Sequence, residues 1–170
     1  MSDRPLFERD PNAWRDYLAE GNATQPRKRI GADLLLRNEH GDCLLVDPRY
    51  KPDWDMPGGM SESNEAPDET VRRELLEELG LEVTIGPLLV VDWVSPHDPW
   101  DDSLIFIFDG GVLDDSAIAN LRLSDNELQA YDFCDRSQAA TRLRPYVWRR
   151  LQVAFTALET GRARYTRDGF

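Results

Sequence analysis

The sequence predicts an α/β or α+β sandwich, in which helices cover a β-sheet. Two observations support this prediction: apolar strand-like runs enclose one central helix, and another long helix follows the last of these runs. The chain has 170 residues, of which 41% are hydrophobic and 31% are charged, so it can bury a core without disulfide bonds or structural metals. We expect one domain spanning residues 1–170.

The first third of the chain predicts a helical extension, a β-hairpin and a loop. In the extension, residues 1–27, Asp10 and Pro11 begin a helix and Gly21 ends it. The apolar runs "RIGADLLLRN" and "CLLVDPRY" are separated by "EHGD", which is typical of two strands joined by a turn. The next stretch, "YKPDWDMPGGMSESNE", is rich in proline and glycine and predicts loop.

A central helix is predicted from about Ala66 to Leu79, because Pro67 and two acidic residues suit its first turn and Gly80 suits its end. Further strands are expected in "LEVTIGPLLVVDWV" and "SLIFIFDGGVL", with shorter ones in "NLRLSD" and "ELQAYDFCD". Apolar residues at helical spacing predict the closing helix within residues 141–160.

The charge and composition argue against several classes of partner. A net charge of −12 opposes binding to nucleic acid or anionic lipid, and we interpret the short basic run at residues 27–29 as a solvated strand entry. No apolar run approaches the roughly 20 residues of a membrane span, and the N-terminus lacks the apolar segment of a secretory signal. Cys43 and Cys134 lie far apart in apolar runs, which favours reduced thiols over a disulfide. We therefore expect a cytoplasmic protein.

Three glutamates share one side of the central helix. Because successive helical residues turn by about 100°, Glu74, Glu77 and Glu78 fall within roughly 100° of arc, beside an apolar stripe. Like charges at these spacings repel by roughly a few tenths of a kcal/mol per pair. A solvated face is the ordinary explanation for such a stretch taken alone. A hard divalent cation such as Mg²⁺ would instead hold the carboxylates together and let an acidic protein bind a diphosphate.

The helix and the loop before it contain a motif with fixed spacing. Its residues are Gly59, Glu65, Arg73, Glu74, Leu75, Glu77, Glu78, Gly80 and Leu81. The pattern resembles the complete signature of the Nudix hydrolase family, and it is far more specific than a lone glycine fingerprint. The resemblance extends from about Lys28 to Arg150. It implies a Nudix-like α/β/α sandwich with a mixed sheet and a loop-helix-loop catalytic motif.

The resemblance also implies roles for the motif residues. The Gly59 carbonyl and the carboxylates of Glu74, Glu77 and Glu78 would bind Mg²⁺ or Mn²⁺. Arg73 resembles the family arginine that orients a catalytic glutamate through a fork-like contact.

Three further residues belong to the expected site. Gly58 and Glu65 would brace the loop against the helix, and Glu65 also suits the helix N-terminus. Glu127 lies six residues before Phe133, a spacing that resembles the downstream glutamate of several family branches. The resemblance offers two candidates for the base that removes a proton from water, Glu74 and Glu127, because family branches differ in where they place it. The alternative for Glu127 is an ordinary polar residue at a strand edge.

One position departs from the common family pattern. Asn64 stands where many family members have glycine, although asparagine tolerates a left-handed backbone. Glu62 is either a metal contact or a solvated loop charge. The remaining polar candidates are weaker: Asp92, Asp101, Asp102, His40 and His97.

Tryptophans are the candidates for contact with the variable part of a substrate. Trp93 and Trp100 flank the loop "SPHDPWDD", where an aromatic face could stack on a base. Packing in the core is the alternative for each of them, and for Trp54.

Together these features predict metal-dependent hydrolysis of the diphosphate linkage in a nucleoside diphosphate derivative. ADP-ribose or a nucleotide sugar is favoured: Pro96 lies close to where the ADP-ribose pyrophosphatase branch tends to carry proline, although a proline in a loop rich in turn formers also has an ordinary structural explanation. The alternatives are a nucleoside triphosphate pyrophosphohydrolase and a non-catalytic nucleotide sensor. The expected partner is a nucleotide-type small molecule, and a homodimer is left open.

Overall fold

The computed structural model describes residues 4–123 and 126–170. Within them the helices are α1 (Leu6–Arg9), α2 (Pro11–Thr24), α3 (Pro67–Leu79), α4 (Asp115–Ala119), α5 (Arg136–Arg142) and α6 (Pro145–Thr160). The strands are β1 (Arg29–Arg37), β2 (Cys43–Pro48), β3 (Gly58–Met60), β4 (Leu88–Val94), β5 (Ser103–Val112), β6 (Leu128–Cys134) and β7 (Arg164–Arg167). Among the described residues, none of the helices has the length and apolar character needed to cross a bilayer.

The strands form one mixed sheet in the order β6-β2-β1-β5-β4-β7, and β3 pairs with β1. The pairs β1–β5 and β4–β7 are parallel, and the other pairs are antiparallel. Because β5 covers one edge of β1, β2 and β3 share the other edge. The predicted α/β class with a mixed sheet is confirmed.

Each face of the sheet packs against a helix. Successive side chains of a strand point to opposite faces, and β1 follows this rule. Leu34 and Leu36 join an apolar cluster with Leu75 of α3, whereas Leu35 joins a second cluster with Leu151 of α6. None of these five side chains is more than 1% exposed. The result is the predicted α/β/α sandwich, with α3 and α6 on opposite faces.

Helix α3 begins and ends close to where the sequence predicts. Pro67 occupies the first turn, and the Ala66 N–H donates to the Glu69 carboxylate at 3.0 Å. At the other end Gly80 adopts a left-handed φ of 61°, and its N–H donates to the Leu76 carbonyl at 3.1 Å. Both ends of the helix that carries the glutamates are therefore defined by local sequence.

One predicted helix boundary is wrong, and one helix in the closing segment was not predicted. Helix α2 continues through Gly21 to Thr24, because a single glycine costs a helix only about 1 kcal/mol. The predicted closing helix is α6, which spans Pro145–Thr160. Helix α5, just before it, was not predicted. Pro145 separates the two helices, since the residue before a proline favours extended backbone and Arg144 has a ψ of 147°.

Several strand predictions also differ from the structure. In "LEVTIGPLLVVDWV" the strand begins only at Leu88, directly after Pro87, which has no N–H to donate to a ladder. Residues 120–123 of "NLRLSD" form no strand, and residues 124 and 125 lie outside the described part. Strands β3 and β7 were not predicted, because each is very short and depends on a distant partner.

A buried ion pair attaches β7 to the rest of the fold. The Asp92 carboxylate, on β4, accepts hydrogen bonds from Arg150 Nε at 2.9 Å, the Thr166 hydroxyl at 2.7 Å and the Gly169 N–H at 2.9 Å. Asp92 is 0% exposed and Arg150 is 4% exposed. Three donors satisfy the buried carboxylate, so β7 and the turn after it are held against β4 and α6.

Candidate active site

A cavity of about 500 Å³ lies where α3, β1, β3 and the start of α6 meet. The predicted site residues that line it are Gly58, Gly59, Glu74, Glu78, Trp100 and Glu127. The fold thus brings residues far apart in the sequence to one surface. Glu77, Arg73, Glu65 and Trp93 are not among the lining residues.

Gly58 and Gly59 let the loop approach both the sheet and the helix. Gly58 has a φ of 142°, and a Cβ there would collide with the carbonyl oxygen of Ala32 on β1. A Cβ on Gly59 would collide with the Glu74 carboxylate. Any larger residue at either position would push the loop away from β1 or displace Glu74.

Arg73 connects the loop to the acidic face of α3. Its Nε and Nη2 donate to the two carboxylate oxygens of Glu65, at 2.8 and 3.0 Å. Its Nη1 donates to Glu74 Oε1 and to Glu77 Oε2, both at 3.0 Å, and Nη2 also donates to the Met60 carbonyl at 3.2 Å. The bidentate fork therefore binds Glu65, and a single nitrogen positions Glu74.

Glu65 lies at the junction between the loop and α3. Besides the fork from Arg73, its carboxylate accepts the Glu62 N–H at 2.9 Å and the Thr70 hydroxyl at 3.0 Å. These donors, Arg73 first, lower the pKa of Glu65 to about 2. The residue is ionised at neutral pH; it joins the loop to the helix through three hydrogen bonds and closes the loop through a fourth, from Glu62.

The three glutamates of α3 differ in their surroundings. Burial raises the pKa of Glu74, and this effect opposes the attraction of Arg73. Glu78 is 6% exposed, whereas the side chain of Glu77 is 54% exposed. Glu74 and Glu78 line the cavity, and Glu77 lies outside it beside Arg73. The acidic face is thus divided between the cavity and the solvent.

The donor set suits a hard cation such as Mg²⁺. The predicted ligands that line the cavity, Glu74, Glu78 and Gly59, offer carboxylate and backbone oxygen atoms, and Gly59 has no side chain to obstruct them. Within residues 4–123 and 126–170, however, no three acidic, histidine or cysteine side chains already lie together as a cluster that could hold a metal. The chemistry of the residues fits a cation.

Glu127 lies on the same cavity as Glu74 although it precedes β6 in sequence. The Arg49 N–H donates to the Glu127 carbonyl at 2.7 Å, which attaches this segment to the end of β2. Both candidates for the base therefore line one cavity.

The two candidate tryptophans lie in different environments. Trp100 lines the cavity, is 53% exposed and has the Arg29 guanidinium 4.4 Å from its ring centre. Trp93 donates its indole N–H to Asp102 at 2.7 Å and has Arg167 5.0 Å from its ring centre. Trp100 is thus available to a ligand in the cavity, and Trp93 is engaged with its neighbours.

The weaker candidates mostly have structural contacts. Asp92 belongs to the buried ion pair with Arg150, and Asp102 pairs with Lys28 and Trp93. Asn64 has a φ of 64°, so the expected left-handed backbone is confirmed. His97 is the exception, because it lines the cavity.

Sequence reasoning missed the basic side of the cavity. Four basic side chains line it: Arg29, Lys51, Arg144 and Arg150. They come from β1, the loop after β2 and the start of α6, so no local motif marks them. Asp33 of β1 was missed as well, and burial together with the neighbouring Asp55 raises its pKa to about 7.

Comparisons with known proteins agree with this geometry. The family model for the NUDIX domain matches residues 27–154. Diphosphoinositol polyphosphate phosphohydrolase 3-alpha of Mus musculus is 39% identical over 83 residues, which cover 48% of this chain and 48% of that protein. The chain thus spans about half the length of the curated relatives it matches.

Solved structures share the fold. The MutT protein from Methanosarcina mazei Go1 superposes with a TM-score of 0.64 at 23% identity, covering 81% of this chain and 99% of that one. A UDP-X diphosphatase superposes with a TM-score of 0.66 at 18% identity, covering 89% of this chain and 74% of that one. At these identities the likeness concerns the fold alone.

Proposed function

Because the chain belongs to the Nudix hydrolase family, we propose that it hydrolyses the diphosphate linkage of a nucleoside diphosphate derivative. The observation that supports this most directly is the arrangement around the cavity. Glu74, positioned by Arg73, lines it together with Glu78, Glu127 and Gly59. The similarity to the mouse diphosphoinositol polyphosphate phosphohydrolase is consistent with phosphate chemistry.

The proposed cofactor is Mg²⁺, or Mn²⁺ in its place. Glu74, Glu78 and the Gly59 carbonyl would hold it at the cavity, with Glu77 adding negative charge from the solvent side. When bound, such a cation neutralises phosphate charge and lowers the pKa of a water molecule.

Side chains of the protein would position the site and accept the proton. Arg73 and Glu65 keep the loop and α3 in register, so the oxygen atoms of Glu74 stay at the cavity wall. One carboxylate accepts the proton of the attacking water, and Glu74 and Glu127 are the two candidates. Burial raises the pKa of Glu74 in the metal-free protein, whereas a bound cation would lower it, so this pKa does not choose between the two candidates.

The favoured substrates are ADP-ribose and nucleotide sugars. The cavity has acidic side chains for the cation and also Arg29, Lys51 and Arg144 for the substrate's own negative charge. Lys51 and Arg144 would exchange their ion pairs with Asp55 for this charge. Trp100 offers an exposed aromatic face for a base. The net charge of −12 is thus compatible with an anionic substrate, because basic side chains line this cavity beside the acidic ones.

A nucleoside triphosphate is the second candidate substrate. Arg29, Lys51 and Arg144 at the cavity favour it, since a triphosphate carries more charge than a diphosphate sugar. A nucleotide sensor that binds without turnover is the third possibility.

The test is a measurement of kcat/KM with Mg²⁺ for ADP-ribose, nucleotide sugars, dinucleotide polyphosphates and the nucleoside triphosphates. We expect ADP-ribose or a nucleotide sugar to give a nucleoside monophosphate and a sugar phosphate. EDTA should abolish turnover, and Glu78→Gln should lower it by about a hundredfold or more. The exposed Glu82→Gln, just beyond the motif, is the matched control and should retain activity.

Three results would count against the proposal. A triphosphate preferred tenfold or more, with pyrophosphate as product, would assign the second substrate class. Binding of these compounds without turnover would indicate the sensor. Full activity of Glu78→Gln in EDTA would remove the metal from the mechanism.

The domain organisation, the partner and the cellular compartment are proposals as well. The chain acts as a single domain, residues 1–170, on a nucleotide-type small molecule and in the cytoplasm. The two described cysteines, Cys43 and Cys134, are buried free thiols, which is consistent with a reducing compartment. A homodimer remains an open prediction.

A further inference from the structure

A second cavity of about 300 Å³ adjoins the candidate active site. Four residues line both cavities: Val94, His97, Tyr146 and Arg150. The two cavities therefore lie side by side at these side chains. We call the second one the side cavity.

The turn after β7 supplies part of the side-cavity wall. Asp168 lines it, and this residue lies beyond residues 27–154, which match the family model. The Asp168 N–H donates to the Trp93 carbonyl at 3.0 Å. The Asp168 carboxylate accepts the Ser95 N–H at 2.8 Å and the Ser95 hydroxyl at 2.6 Å. The carboxylate is thus held in one orientation at the end of β4.

The same turn packs closely on α6. A Cβ on Gly169 would come within 2.9 Å of the Arg149 Cβ, so the backbone can approach the helix only because this residue is glycine. The Arg149 Nη2 also donates to the Asp168 carbonyl at 3.1 Å. These contacts make the wall a fixed part of the fold.

The lining indicates what kind of group the side cavity would accept. Hydrogen bonds from Ser95 keep the pKa of Asp168 below its ordinary value, so the carboxylate is ionised at neutral pH. An ionised carboxylate repels a phosphate, but each of its oxygens can accept a further hydrogen bond from a hydroxyl. Tyr146 and Pro96 add apolar surface. The two arginines of the lining are engaged within the protein, Arg150 with Asp92 and Arg149 with the Asp168 carbonyl. A fixed acceptor beside apolar surface suits a sugar ring, and 300 Å³ is the lower end of small-molecule sites.

We propose that the side cavity binds the sugar attached to the phosphate remote from the nucleoside, with Asp168 accepting hydrogen bonds from its hydroxyl groups. This inference rests on the proposed function, because it requires a diphosphate substrate in the main cavity. It assigns substrate selectivity to a segment outside the matched family region.

The experiment compares two substrates that share the scissile linkage. ADP-ribose carries the distal sugar, and the methyl ester of ADP carries only a methyl group there. Asp168→Asn retains size and an acceptor for the Ser95 N–H but removes the charge. We expect it to lower kcat/KM for ADP-ribose by roughly tenfold or more, mainly through KM, and to leave the methyl ester unchanged.

Two further variants complete the design. Ser95→Ala removes one of the two hydrogen bonds that orient the Asp168 carboxylate. It should lower kcat/KM for ADP-ribose relative to the methyl ester, by a smaller factor than Asp168→Asn. This variant provides the test if Asp168→Asn fails to fold. Asp115→Asn, on the exposed first turn of α4, is the matched control and should leave kcat/KM unchanged for both substrates.

Equal losses for both substrates, or no loss for either, would refute the role of the side cavity while leaving the proposed function intact. If the native protein hydrolysed neither compound nor any other diphosphate, the proposed function itself would be refuted.

Discussion

At the scale of single residues, Arg73 uses all of its N–H donors within the protein. A guanidinium has five N–H donors, and this one makes five hydrogen bonds within the protein, to Glu65, Glu74, Glu77 and Met60. It is therefore a positioning residue rather than a substrate-binding cation. In the proposed function, the substrate's negative charge would be met by other basic residues of the cavity.

The depressed pKa of Glu65 makes its contribution to stability depend on pH. Its pKa is about 2 in the folded protein and ordinarily 4.5, so the unfolded chain binds the proton more tightly. The stabilisation is complete above pH 4.5 and is lost as the pH falls toward 2. We expect Glu65→Gln to lower the Tm at pH 7 and this difference to shrink below pH 4.5.

Thermal unfolding of both proteins between pH 7 and pH 3 tests this. A Tm difference that stays constant over the range would show that the charge of Glu65 is not what stabilises the loop. The exposed Glu82→Gln should show little difference at any pH.

The acidic residues of the site could be predicted, and its basic residues could not. Glu74, Glu78 and Gly59 lie within one loop and one helix, so their spacing alone indicates a shared surface. Arg29 and Arg150 reach the cavity from opposite ends of the chain, and only the packing of β1 and α6 brings them together. Their individual sequence environments are those of ordinary surface arginines.

At the scale of elements, prediction succeeded where the signal is local. Helix α3 has its proline at the start and its glycine at the end, so its limits follow from the backbone preferences of those residues. Strand β3 has three residues, two of them glycine, and it exists because β1 provides a partner. Strand β7 likewise depends on β4 and on the Asp92 carboxylate.

The attachment of β7 predicts a large effect of a small substitution. Asp92→Asn leaves Arg150 buried without its counter-charge and turns an amide N–H₂ toward groups that donate. We expect a loss of about 3–5 kcal/mol in the free energy of unfolding. Thr166→Val removes one hydrogen bond to the same carboxylate and should cost only about 1 kcal/mol.

Urea unfolding of the three proteins measures both losses. If Asp92→Asn cost no more than Thr166→Val, the buried ion pair would not be what holds β7 to the sheet.

At the scale of the whole molecule, a cation that binds only the folded protein should stabilise it. At a Mg²⁺ concentration of 100 times its Kd, mass action gives about 2.7 kcal/mol. We therefore expect the Tm to rise with Mg²⁺ concentration, since the cation also relieves repulsion among the α3 glutamates. Calorimetry in NaCl of equal ionic strength provides the control for simple screening.

Glu78→Gln distinguishes Mg²⁺ binding at the cavity from general screening of the negative charge of the chain. This variant changes the net charge of −12 by a single unit, so general screening by Mg²⁺ would persist. Loss of the Mg²⁺-dependent rise in Tm would locate the effect at the cavity. The same rise in native and variant proteins would mean that the acidic face of α3 is only a solvated surface.

The attachment of β7 also sets the order in which the fold can be completed during synthesis. The ribosome extends a chain from its N-terminus, so Asp92 and Arg150 emerge before Thr166 and Gly169. Until those later residues emerge, the Asp92 carboxylate lacks two of its three donors, and the outer edge of β4 is open to pairing with other chains. Nascent chains interrupted near residue 163 therefore carry an open strand edge that the complete chain covers, which exposes them to aggregation and to capture by chaperones.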